Sequence, residues 1–103
     1  MNETLIKIRN IEKYFAARTK DDVIENAIAK LVELKLNQID QEITELKNDL
    51  KKFEDKYHLD SEKFITKFQQ GELLDNLDFT DWVAMYKMLH NRLNDKSLLS
   101  GKS

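Results

Sequence analysis

The stretch LNQIDQEITELKNDLKKFEDKY, residues 36–57, decides the fold. Its apolar residues Leu36, Ile39, Ile43, Leu46, Leu50, Phe53 and Tyr57 recur at alternating spacings of three and four. That is a heptad pattern, with Leu36, Ile43, Leu50 and Tyr57 at a and Ile39, Leu46 and Phe53 at d. Nearly every residue between them is Glu, Asp, Lys, Asn, Gln or Thr. A narrow apolar stripe on a charged helix must bury itself against another helix. The stretch therefore predicts an all-α chain with a long central helix, and makes these seven residues the expected oligomerisation seam of a homodimer or higher homo-oligomer. Ile and Leu occupy both a and d, and no a position carries Asn, so parallel and antiparallel pairing both fit.

Upstream of the seam no helix breaker appears, and one helix is predicted from about residue 20 to Tyr57. At 1.5 Å per residue it would be roughly 57 Å long, so part of it is expected to project or to lie under another chain. Its first half reads differently from its second. Val23, Ile24, Ala27, Ile28, Ala29, Leu31, Val32, Leu34 and Leu36 make the segment 23–36 apolar on more than one side, which predicts cover from two directions. Thr19 is the expected N-cap, with Asp21 and Asp22 in the positive first turn. Before it, Leu5, Ile8, Ile11 and Phe15 have helical spacing over residues 2–18. Thr4, Ile6 and Ile8 also alternate, so a short strand competes there.

Downstream, His58, Leu59, Asp60 and Ser61 interrupt the pattern. Asp60 is read as an N-cap, with Leu59 and Phe64 as a hydrophobic staple across it. A short helix carrying Phe64, Ile65 and Phe68 follows, and Gly71 ends it as a left-handed cap. Asp78 is the expected cap of a last helix striped by Phe79, Trp82, Tyr86, Leu89 and Leu93, with Leu77 and Trp82 as a second staple. Residues 1–94 are thus expected to form a single helical domain, and residues 95–103 a frayed tail.

Composition agrees. The chain has 103 residues, no Pro, two Gly and no Cys, with 35% charged and 41% apolar residues. Sheet-type turn chemistry is nearly missing, and disulfides and thiolate metal sites are excluded. No apolar run spans a bilayer, and a cytoplasmic protein is expected. Net charge is −2, unevenly spread: residues 1–20 carry five bases against two acids, residues 21–57 six bases against ten acids. The basic start makes a nucleic-acid-binding regulator one alternative, although charges spaced this way more often form a solvated helix face. A structural coiled-coil adaptor is another.

No constellation spells out a reaction. Glu54 and His58 share a helix face but lack a third metal ligand, and His90 has only Tyr86 and Lys87 beside it. Neither His is preceded three residues earlier by Glu, as a di-metal bundle site would require. Ser61 and Ser97 have no His and acid to activate them, and no Gly-rich loop cradles phosphate. An enzyme is not expected, and no catalytic, cofactor or metal residue is assigned. Phe64, Phe68, Leu73, Phe79, Trp82 and Tyr86 form either a partner-binding surface or a local core, and their inward-pointing spacing favours the core.

One resemblance stands out. Lys56, Tyr57, His58, Leu59, Asp60, Ser61, Glu62, Lys63 and Phe64, then the run from Lys67 and Phe68 to Gly71, Glu72 and Leu73, then Asp75, Asp78 and Trp82, form a pattern. It resembles short archaeal and bacterial helical proteins that look like the antitoxin half of two-gene toxin–antitoxin modules. The resemblance covers residues 21–93 and is most specific from Tyr57 to Trp82. It implies a cognate toxin protein as partner and no catalysis. His58 stands where the pattern has Gly, which argues against a left-handed helix end there. Asn76 and Leu77 replace part of a more acidic connector.

Overall fold

A computed structural model describes residues 2–18 and 20–101. Its elements are α1 (Glu3–Arg18), α2 (Asp22–Tyr57), α3 (Ser61–Gln69) and α4 (Leu77–Ser100), and the all-α class with a long second helix is as expected. No strand occurs among the described residues, so the alternation at Thr4, Ile6 and Ile8 is absorbed into α1. Asn2 decides that start: its Oδ1 accepts from the amides of Thr4 and Leu5 at 2.8 and 3.3 Å, satisfying donors that helix α1 leaves open.

The other helix ends follow local chemistry, with two corrections. Thr19, the expected cap of α2, lies outside the described residues; Asp21 Oδ1 accepts from Ile24 N at 3.1 Å at the start of that helix. Asp60 caps α3 as expected, accepting from Lys63 N at 2.8 Å. At α4 the cap is Asn76, which accepts from Asp78 N at 2.8 Å; Asp78 lies inside the first turn. That shift removes the second staple, and Leu77 is 85% exposed. Finally, α4 runs on through the expected tail to Ser100, where Gly101 at φ +74° closes it with its amide to the carbonyls of Leu98 and Ser97.

Two left-handed residues form the turns around α3. Gly71 (φ +71°) donates to Phe68 O, and Glu72 donates to Lys67 O, the paired bonds of a Schellman ending. His58 adopts φ +53° and Leu59 N donates to Glu54 O at 3.2 Å, so α2 ends left-handed without a glycine. The substitution of His for Gly therefore does not abolish the turn. It adds a strain of about 1–2 kcal/mol, the usual cost for an L-residue in that region.

The chain divides into two compact units between Lys35 and Leu36. From Leu36 onward there is a closed core. Ile39, Ile43, Leu46 and Leu50 of α2, Phe64 of α3, and Trp82 and Leu89 of α4 are buried in one cluster. Phe53, Tyr57, Leu59, Ile65, Leu73, Phe79, Val83, Met85 and Tyr86 pack against it. Each fully buried large side chain contributes about 1.5–3 kcal/mol. The contacts between α2 and α4 give their direction: Tyr57 meets Asp78, Phe53 meets Trp82, Glu42 meets Arg92, and Asp40 meets Lys96. Partner numbers rise on one helix as they fall on the other, so the two are antiparallel. The expected oligomerisation seam is filled by the chain's own helices, and Leu36, at its upper end, is half-buried.

The unit ending at Lys35 comprises α1 and the first turns of α2. Among its described residues none is buried; Phe15, Ile24 and Val32 are half-buried. Leu5, Ile6, Ile8, Ile11, Tyr14, Val23, Ile28, Leu31 and Leu34 are all exposed. The prediction of cover on more than one side is unmet within the chain.

Candidate protein-binding surfaces

The residues assigned to partner binding or local core separate on inspection. Trp82 and Phe64 are fully buried, with ring centroids 3.8 Å apart and planes 2° from parallel. Phe53 and Tyr57 stack on Trp82 at 5.6 and 5.8 Å, and Phe79 meets Tyr57 edge-on at 5.1 Å. This is core. Phe68 and Tyr86 lie at its margin: with Ile65, Val83, Gln69 and Lys87 they line a shallow groove between α3 and α4. Leu73 is half-buried against the core.

Two polar arrangements hold this cluster, and spacing alone identified neither. The indole Nε1–H of Trp82 donates to Ser61 Oγ at 2.8 Å with both residues buried. Ser61 N in turn donates to Glu54 Oε2 at 2.8 Å, so Glu54 supplies a second cap to α3 from the preceding helix. Glu54, half of the candidate metal pair with His58, is thereby engaged in structure. A buried Trp requires an acceptor, but the sequence does not show which hydroxyl comes near. The second arrangement centres on Asp78, whose Oδ2 accepts from Lys56 Nζ and Tyr57 Oη, both at 2.6 Å. The bond from Lys56, reinforced by Tyr57, holds the Asp78 carboxyl below the usual carboxylate range. The bond to Asp78 raises the Lys56 ammonium in return. Asp78, read from the sequence as a cap, is a clasp between α4 and the end of α2.

A second groove in the same unit runs between α2 and α4 over Leu46 and Met88, edged by Glu42, Glu45, Asp49, Asn91 and Arg92. Arg92 pairs with Asp95 at 2.7 Å and with Glu42 at 3.5 Å, and its buried Nε has no partner. Among the described residues no group of three or more His, Cys, Asp or Glu is arranged to hold a metal ion. His58 is exposed, and His90 lies 4.5 Å from the Tyr86 ring.

The basic start does not form one patch. At 100° per residue, Lys7 and Arg18 share one side of α1, and Arg9 and Lys13 share another. Arg18 sits 5.2 Å over the Tyr14 ring. The apolar residues of this unit are more coherent. Val23, Ala27, Leu31 and Leu34 fall at spacings of four, four and three along α2, and Val23 and Leu31 are 79% and 67% exposed. No described helix is long and apolar enough to cross a membrane.

Comparison with protein-family models, with curated proteins and with solved structures finds no match to this chain.

Proposed function

We propose that this chain is a helical protein–protein interaction module that works as an antitoxin-like protein, neutralising a partner by covering one of its surfaces. The observation that carries this reading is the concentration of exposed large apolar side chains before Leu36, beside a second unit that closes its own core. Exposed apolar surface in this concentration marks a place for another protein or a membrane. The bases of α1 are split over two sides, which weighs against a nucleic-acid surface. No residue constellation supplies a reaction, so inhibition here is by coverage. A few deeply seated Leu or aromatic anchors would carry the affinity.

The test is co-expression with the product of the neighbouring gene, followed by light scattering of the purified material. A stoichiometric complex whose partner loses its activity is the expected result. A chain that purifies without the neighbour under all conditions overturns the antitoxin reading.

A further inference from the structure

We infer that the groove between α2 and α4 over Leu46 and Met88 is a second protein-binding site, and that it takes a basic amphipathic helix of a partner protein. The groove lies wholly within the unit that starts at Leu36. It is separate from the apolar face on which the proposed function rests, so either reading can fail without the other.

The floor of the groove is apolar. Leu46 belongs to the core, whereas Met88 is 53% exposed, and together they line a cavity of about 380 Å³. Methionine is unbranched and polarisable, so it adapts its shape to an apolar side chain set against it. A concave surface with an apolar floor and a few polar groups at its edge is the usual form of a binding site.

The edge of the groove gives the charge of the occupant. Glu42, Glu45 and Asp49 follow one another along α2 at spacings of three and four, so they form one row beside the floor. On the α4 edge the base is Arg92, and it is already held by Asp95 at 2.7 Å and Glu42 at 3.5 Å. The antiparallel register leaves the rest of the row unmatched. One heptad on from Glu42 is Asp49, and one heptad back from Arg92 is Met85. Helix α4 thus offers a thioether where the first acid met a guanidinium. Asp49 has Lys52 of its own helix at 3.7 Å, with the lysine 80% exposed. An exposed pair of that kind contributes little and yields readily to a better partner. Glu45 makes no ion pair among the described residues.

The spacing gives the occupant its shape. Carboxylates three and four apart on one helix match bases at the same spacing on a helix laid beside it, as flanking positions do in coiled coils. Apolar residues on one face of such a helix seat on Leu46 and Met88, and its flanking Lys or Arg side chains meet Glu45 and Asp49.

The test titrates the full chain with a two-heptad peptide carrying Leu at a and d and Arg at e and g, read by fluorescence anisotropy. The peptide should bind, and added salt should weaken it. Glu45→Lys should weaken binding about tenfold, as attraction at the edge turns to repulsion. Asp55→Lys makes the same change of charge at an exposed position on another side of α2, and should leave the affinity unchanged. The near-ultraviolet signal of Trp82 checks that each variant is folded. Should Glu45→Lys disturb it, Met88→Lys takes its place, since Met88 is 53% exposed. A parent chain that does not bind the peptide, or equal loss in Glu45→Lys and Asp55→Lys, overturns the inference. So does binding of spermidine at Glu45 without binding of the peptide, because the groove is then a site for a small cation.

Discussion

Leu46 and Leu31 sit on one helix, fifteen residues apart, and their fates are opposite: Leu46 is 8% exposed and Leu31 is 67% exposed. Both belong to apolar stripes with helical spacing. What differs is the neighbour. Opposite Leu46 the chain returns as α4, in antiparallel register, and closes a core around Trp82. The clasps linking Asp40 to Lys96 and Glu42 to Arg92 lie near the upper end of that return, and α4 ends at Ser100. Extending the register sets Leu99 against Leu36, and Leu36 is where the closed unit begins. A stripe is therefore a statement of need, and burial depends on what packs opposite it.

The largest test of that contrast is to place the same charge on both sides of it. Leu46→Glu buries a carboxylate with no partner in the core and should abolish the cooperative unfolding of the unit from Leu36 onward, read by Trp82 fluorescence. Leu31→Glu should change folding stability by no more than about 0.5 kcal/mol, as surface substitutions do. Equal loss of the Trp82 signal in both variants would mean the two halves of α2 are not different.

Ser61→Ala comes next. It strands the buried indole N–H of Trp82 and should cost about 1–3 kcal/mol in denaturant unfolding, with Ser61→Thr retaining part of that bond. No change in midpoint would show that the indole finds another acceptor. His58→Gly works in the other direction. It relieves the left-handed strain but loosens the unfolded chain, leaving a net gain of about 0.5–1 kcal/mol in thermal or chemical denaturation. A loss of stability would mean that the His58 side chain contributes more than its backbone costs.

The smallest expected effect is the pH dependence of the clasp at Asp78. Its carboxyl is lowered in the folded chain, so its contribution is fully present above the ordinary carboxylate value and disappears as pH falls through the lowered one. Lys56 is raised, so its contribution holds below the ordinary lysine value and fades as pH rises through the raised one. Asp78→Asn should therefore be less stable than the parent at neutral pH and converge on it in acid. Because the pair is exposed, the gap should also shrink with added salt. A gap that stays constant from neutral to acid pH would remove the ion pair from the account.

Much of this was legible in the residues. The helical class, the stripe from Leu36 to Tyr57, the cap at Asp60 and the glycine turn at Gly71 all follow from local rules, because each depends on side chains within a few positions of one another. The cap at Asn76 was missed because Asp78, equally suited by type, competes for the role two residues later. His58 was misjudged because residue type suggests a cost in the left-handed region, whereas the surrounding bonds from Leu59 to Glu54 and from Ser61 to Glu54 decide whether that cost is met. The Trp82–Ser61 bond spans 21 positions and the Tyr57–Asp78 bond also spans 21, beyond the reach of any periodicity.

By itself, then, the sequence determined that this protein is made of helices and which face of each is apolar, since those properties are set by spacing along one chain. Only the tertiary structure decided what covers each face. The same stripe can satisfy itself within one chain or between two, and the choice turns on where α4 starts, which way it runs and where it stops. Over residues 36–57 it meets the need internally. Before Leu36 the large apolar side chains stay exposed.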